Sequence, residues 1–299
     1  MYKQIASNRN KTVLLMGLFL IFVIGVGWLF SRIYDNQTIL IIAVLFATVQ
    51  ALVSYYYSDK ISLSISKAKP VTKKEEPTLY RAVENLAITA GLPTPKVYVI
   101  DDPSPNAFAT GRDPKHASLA VTKGLLEKLD KVELEGVMSH ELSHVKNYDI
   151  RLMTVVVVLV GTIALISDWF IRWNFWFGGR RDDRGGGQAG AILFIVGIIL
   201  AILSPLVATL IQLAVSRKRE FLADADGALL TRYPQGLADA LEKIGKDSNQ
   251  LQSANNATAH LFIASPFKAK KNQVGWFSTL FMTHPSIPQR IKALREMIK

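Results

Sequence analysis

Ser139-His140-Glu141-Leu142-Ser143-His144-Val145 carries an H-E-x-x-H pattern, and the reading of the whole chain works outward from it. On a helix, residues four apart stack on one face about 6 Å from each other, so both imidazoles can reach one zinc ion. Glu141 projects beside them, placed to take a proton from a water that the metal has acidified toward pH 7. Asp130 with Glu133 three residues on reads as a capping box that opens this helix. Leu134, Met138, Leu142 and Val145 form its apolar stripe, and the histidines fall off that stripe, unlike ordinary core residues.

Catalytic zinc needs three protein ligands and one open position. A metzincin would carry a histidine six residues after His144, but that position is Ile150, which excludes the class. A His₂Glu site needs a carboxylate from a later helix. Glu220-Phe221-Leu222-Ala223-Asp224 offers two acids at i and i+4 on one helical face. Glu220 then binds the metal and Asp224 hydrogen-bonds a ligand histidine. The competing reading of Glu220, after Arg217-Lys218-Arg219, is one more charge at a membrane border.

The 299 residues hold four stretches near or above the roughly 20 apolar residues that cross a bilayer as a helix. They are Val13–Phe30, Ile39–Tyr57, Leu152–Trp173 and Ala189–Val215. The first is uncharged, too long for a signal-peptide core and followed by no small-residue cleavage site, so it is expected to stay as an anchor. The second, which holds Gln50, is the weakest span. Net charge is +11, with basic residues at Lys3, Arg9 and Lys11, from Lys60 to Lys74, and at Arg217–Arg219. That distribution fits the positive-inside pattern and anionic headgroups rather than nucleic acid. No cysteine is present, so disulfides and thiolate metal sites are excluded.

The expected fold class is mainly α with a small β-sheet. Four transmembrane helices accompany a peptidase domain that the second transmembrane hairpin interrupts. The boundaries are 1–58 (first hairpin), 59–151 (first peptidase part), 152–216 (second hairpin) and 217–299 (second peptidase part). Each hairpin returns the chain to the side it left, so both soluble parts share one face of the membrane. The lysines flanking the first hairpin place that face in the cytoplasm. Four arginines in the second turn, including Arg180 and Arg184, point weakly the other way. Gly185–Gly187 reads as a loop tip.

Helices are expected over Leu79–Ala90, stopping at Gly91-Leu92-Pro93, and over Arg217–Tyr233, Gln235–Gly245 and Pro288–Ile298. Lys96–Ile100 and Ala117–Thr122 read as strands. Asp247–Ala259 is polar and expected to be mobile. Asp149 and Arg151 are expected to pair or meet headgroups at the mouth of the third span, while His116 and His260 read as exposed histidines without a role.

Taken together, the spans, His140-Glu141-Leu142-Ser143-His144, Glu220-Phe221-Leu222-Ala223-Asp224, Asn106-Ala107-Phe108-Ala109-Thr110-Gly111 and Thr283-His284-Pro285 resemble the HtpX family. These are heat-shock membrane metallopeptidases, gluzincin relatives of the CAAX prenyl peptidases, and the likeness covers nearly the whole chain. The resemblance implies one Zn²⁺ on His140, His144 and Glu220, with Glu141 as catalytic acid/base. It also implies misfolded or damaged membrane proteins as substrates, cleaved on the cytoplasmic side of a prokaryotic inner membrane. Asn106, Ala107, Phe108 and Ala109 resemble the family's substrate-facing edge strand, to which an extended peptide pairs through main-chain hydrogen bonds. His284 is a candidate for stabilising the oxyanion, with a turn histidine as the alternative. Asp224 is either a proton donor or, the preferred reading, a partner of a ligand histidine. Two other functions compete: a metal transporter or zinc sensor, disfavoured because the spans hold almost no ionisable residue, and a peptidase confined to prenylated C-termini. Oligomeric state is not legible.

Overall fold

The computed structural model describes residues 2–177, 216–249, 251–255, 257–264 and 285–298, with side chains from Ile5 to Leu165 in the first stretch. The fold is mainly helical with one small sheet. Helix α1 (Tyr2–Ile33) and helix α2 (Gln37–Tyr56) form the N-terminal hairpin, and both are long and apolar enough to cross a membrane. Asn36 caps α2, its side chain accepting from Thr38 N at 2.9 Å. Helix α1 starts well before Val13, so its first turns stand on the domain side of the apolar stretch.

A short α3 (Ser58–Ile65) and a two-residue β1 (Lys69–Pro70) lead to α4 (Pro77–Ala90). Gly91 ends α4 in the left-handed conformation (φ 69°), which a glycine adopts without Cβ strain. The sheet consists of β1, β2 (Lys96–Ile100), β3 (Ala107–Gly111) and β4 (Ala117–Thr122), in the order β1-β2-β4-β3. Strand β2 runs parallel to β4, and β3 runs antiparallel to it, leaving β3 at the edge. After α5 (Lys123–Lys128) comes α6 (Lys131–Lys146), which holds the H-E-x-x-H pattern and opens with the full Asp130/Glu133 capping box.

The amphipathic expectation for α6 is corrected. From Gly136 to Val145 every residue is buried, because α4, α8 (Arg217–Thr231) and α9 (Pro234–Lys246) pack on it while β3 packs from the other side. The apolar stripe of Leu134, Met138, Leu142 and Val145 belongs to the main core. The polar side chains opposite line a site rather than a solvated surface.

Helix α7 (Asp149–Phe177) covers the expected third span and turns off α6 by 83°. Between Leu152 and Ile163 it is almost wholly buried, packed against α1, α2, α3 and β3. The Gln50 side chain of α2 hydrogen-bonds Thr162 of α7, which satisfies this polar side chain of the second span between helices. The fourth expected span and the Gly185–Gly187 loop lie outside the described residues. Among those described, two helices qualify as membrane spans, or three if the bent α6–α7 pair is one span, rather than four.

At the domain end of α2, cations sit over a run of tyrosines. Arg112 lies over Tyr56 (5.3 Å), Arg151 over Tyr55 (5.7 Å) and Tyr148 (5.1 Å), and Lys60 over Tyr57 (5.1 Å). Such an amphipathic belt suits a membrane–water border.

The expectation of mobility for Asp247–Ala259 is also corrected. Asp102 Oδ2 accepts from Gln252 N and Ser253 N (2.9 and 3.0 Å), Asn255 accepts from Ala257 N and Thr258 N, and Leu251 is buried. Here polar composition serves turns that satisfy the backbone rather than solvation. Helix α10 (Ile287–Glu296) closes the described chain against α9.

Candidate active site

His140 and His144 point the same way from α6, their Nε2 atoms 3.2 Å apart. Helix α8 brings Glu220 to them: Oε2 lies 3.8 Å from His140 Nε2 and Oε1 lies 3.5 Å from His144 Nε2. Residues 76 positions apart in the chain (220 − 144) thus meet at one point. Gly227 allows the approach, since a Cβ there would meet His140 N at 3.0 Å and His140 Cα at 3.2 Å. All three side chains are buried.

Each histidine is oriented from behind by a carboxylate. Asp224, one turn after Glu220, lies 2.9 Å from His140 Nδ1, as its preferred reading requires. Asp149 lies 3.0 Å from His144 Nδ1. The expectation for Asp149 is thus corrected: it is buried under the site, because the turn at Tyr148 (φ 58°) starts α7 with Asp149 facing back toward α6. Arg151 keeps its border role over the tyrosines. His260 is corrected as well, being buried with Nε2 2.9 Å from the Met153 carbonyl, whereas His116 stays exposed beside Asp113 and Arg112.

Arg290 is the functional residue that no local pattern singled out. It is fully buried, and its guanidinium grips Asp224 with two bonds (Nε–Oδ2 2.8 Å, Nη2–Oδ1 2.6 Å). It also donates to the Ile263 carbonyl (2.9 Å) and lies 3.8 Å from Glu220. The signal in the sequence was only indirect: Asp224 has no basic residue three or four positions away on its own helix.

The electrostatics suit a cation. Burial, aided by the Arg290 charge, pushes His140 down to about 4, so its ring is neutral, donates Nδ1–H to Asp224 and presents the Nε2 lone pair. Burial works against charge on His144 too, but Asp149, Glu220 and Glu141 outweigh it and raise it to about 9. A metal at His144 therefore displaces a proton. Burial raises Glu141 to about 7, the Glu220 charge adding to it. For Asp224, burial is outweighed by Arg290 and His140, leaving the carboxyl at about 2.

The donor set fits zinc. Donors about 2.0–2.1 Å from a tetrahedral ion stand about 3.3 Å from one another, close to the separations of 3.2 and 3.5 Å seen here. Four carboxylates (Glu141, Asp149, Glu220, Asp224) are buried in this cluster beside two guanidiniums, the buried Arg290 and the half-buried Arg219. With all four acids ionised and both histidines neutral, as ligands must be, the surplus is two negative charges, which one divalent cation offsets.

Beside the donors runs the edge of β3. Thr122 N donates to Asn106 O (3.0 Å), so 106, 108 and 110 face β4 while 107, 109 and 111 face outward. Every outward group that is recorded with a partner meets this chain itself. Ile263 N donates to Ala107 O (3.0 Å), the Ala109 N–H lies close enough to the Glu141 carboxylate to favour its charge, and Gly111 N lies 3.4 Å from Thr154 Oγ1. The Asn106 side chain bonds Ala264 through both its atoms (3.0 and 3.3 Å). Phe108 points away, stacked edge-on against Phe262 at 5.1 Å. A peptide strand pairing here has to displace Ile263 and Ala264. His284 lies outside the described residues.

A two-histidine, one-carboxylate pocket on a buried H-E-x-x-H helix, carried beside two membrane-length helices, defines the class of membrane metalloproteases. The profile of peptidase family M48 matches residues 73–298. HtpX protease homologues from Tropheryma whipplei (strain Twist) and Dictyoglomus thermophilum are each 46% identical over 297 residues, covering 99% of this chain and 98% and 94% of theirs. A Listeria monocytogenes homologue is 45% identical over 307 residues, covering 99% of this chain and all of its own. The crystal structure of S. mikatae Ste24p is also similar, at 23% identity and a TM-score of 0.49 over 95% of this chain and 65% of that one. The chain belongs to peptidase family M48 and, within it, to the HtpX proteases.

Proposed function

We propose that this protein is an integral-membrane zinc endopeptidase that hydrolyses misfolded or damaged membrane proteins as part of membrane quality control and stress response. Its active site faces the cytoplasm from a prokaryotic inner membrane. The observation that carries the reading is the buried group of His140, His144 and Glu220, with Glu141 buried on the same helix, within electrostatic reach of His144 and Glu220 and close to the Ala109 N–H of the edge strand. The base thus stands between the metal pocket and the strand along which a peptide would lie.

In this reading His140, His144 and Glu220 hold zinc, which supplies Lewis acidity for the scissile carbonyl and lowers the pKa of a nearby water. Glu141 takes the proton from the attacking water and returns it to the leaving amine, so water adds across one peptide bond. Asp224 and Asp149 keep the two imidazoles in register rather than transferring protons. Ala109 offers backbone groups to an extended peptide, which pairs with Ala107 by displacing Ile263 from its carbonyl, and Asn106 holds the end of that edge. The peptidase domain comprises 59–151 and 217–299, separated by a second membrane hairpin over 152–216. The flanking lysines support the cytoplasmic orientation.

Detergent-solubilised protein supplied with zinc is expected to cleave unfolded casein, to stop on chelation and to recover on zinc addition. Cleavage indifferent to the chelator would overturn the reading. Zinc flux in proteoliposomes without cleavage would favour a transporter.

A further inference from the structure

The N-terminal helix carries a polar side chain where an anchor has no use for one. Asn8 of α1 is buried, at 3% exposure. Its Nδ2 donates to Asp149 Oδ1 at 2.6 Å and to the Asn147 carbonyl at 3.1 Å. Its Oδ1 accepts from Arg219 Nη1 at 2.9 Å. These are both donors and one acceptor of the amide, used on three separate elements: the end of α6, the first turn of α7 and the start of α8. Arg219 completes the cluster, 3.5 Å from Asp149 Oδ1.

Asp149 is the carboxylate that faces His144 Nδ1 with its other oxygen. We propose that Asn8 is a positioning residue of the active site, holding Asp149 and through it the imidazole of His144. The N-terminal membrane helix is then part of the metal site rather than an anchor alone. This inference rests on the metal-site reading above.

The seating of α1 makes the contact stiff. Asn8, Thr12, Leu15 and Phe19 recur at helical spacing and are all buried, whereas Val13, Leu14, Leu18 and Ile21 are exposed. One face of α1 is therefore docked on the protein and the others are left to lipid. Leu15 and Phe19 pack with Leu152, Val156 and Leu159 of α7, the helix that begins with Asp149. The apolar seam fixes the register of α1 against α7, and Asn8 uses that register to aim Asp149. A carboxylate with one oxygen pinned by an amide has one rotamer left for the other oxygen, which sets the direction of the Nδ1–H bond of His144 and hence of its Nε2 lone pair.

The test uses the full-length chain in detergent, stripped of metal and titrated with zinc against a chromophoric chelator. Partners behind a metal ligand are worth roughly 10–100-fold in affinity, and Asn8 acts one bond further out, so Asn8→Ala is expected to weaken zinc binding about tenfold. With cobalt in place of zinc, its visible absorption bands should also shift. Asn8→Ser keeps one donor and should recover part of both effects, and it serves if the alanine variant folds poorly. Leu15→Ala loosens the same seam without touching the amide, so it should lower the melting temperature while costing clearly less zinc affinity, and shifting the cobalt bands less, than Asn8→Ala. Asn8→Ala with wild-type affinity overturns the proposal. So does an equal loss in Leu15→Ala, which would reduce the effect to packing. Wild type that holds no zinc would instead fault the metal-site reading.

Discussion

Glu141→Gln is expected to retain zinc at wild-type stoichiometry and to lose about 10²–10⁴-fold in kcat. The substitution keeps the size of a buried side chain and still offers an acceptor to Ala109 N–H, so β3 and α6 remain in place. What it removes is the ability to take up and return a proton. In the metal-free protein, burial and the neighbouring Glu220 charge hold Glu141 at about 7, well above an ordinary glutamate. A carboxylate of that basicity is a better proton acceptor near neutral pH than an exposed one, and an amide has no such capacity. The check is a casein assay paired with metal analysis on the same preparation. Unchanged cleavage would remove Glu141 from the chemistry, and lost metal would recast it as a ligand.

Arg290→Leu is expected to destabilise the protein by about 3–5 kcal/mol, the usual cost of breaking a buried ion pair from one side. That is a large share of the roughly 5–15 kcal/mol that stabilises a typical domain. Asp224 would stay buried with only His140 to face, Glu220 would lose a cation 3.8 Å away, and the Ile263 carbonyl would lose its donor. Burial opposes the guanidinium charge, yet Asp224, Glu220 and Glu141 hold its pKa above the ordinary value, so the group is charged throughout the working range. Arg290→Lys should fall between, because an ammonium keeps the charge but cannot form the two-pronged grip. Arg290→Leu combined with Asp224→Leu should recover part of the loss. Thermal melts in detergent measure all three, and an unshifted Arg290→Leu melt would show that the cluster is not the keystone the distances suggest.

The parts of this molecule that were legible in its sequence are those set by short-range pattern. The capping box at Asp130, the strands Lys96–Ile100 and Ala117–Thr122, the stop at Gly91 and the H-E-x-x-H helix each follow from a few neighbouring residues. Glu220 was reachable by a longer step, through the expectation that two hairpins return the chain to one face. Arg290 was not, because it reads as one more basic residue on a C-terminal amphipathic helix, and it is buried only because Asp224 and Glu220 call for a cation there. Asn8 and Asp149 were hidden for a related reason: polar residues beside apolar runs look like border charges until a third element covers them. The same holds for His260, which a polar stretch brings under α7. The burial of α6 depends on β3 on one side and on the other partly on α8 and α9 from beyond residue 216, which the local apolar stripe cannot reveal.

The central claim is that a histidine pair on α6 and a carboxylate on α8 form one zinc site that cleaves peptides. It is tested most directly by measuring zinc content and casein cleavage together, in wild type and Glu220→Ala. The account predicts one zinc per chain with cleavage in wild type, and the loss of both in the variant. Full zinc retention with undiminished cleavage in Glu220→Ala would contradict it.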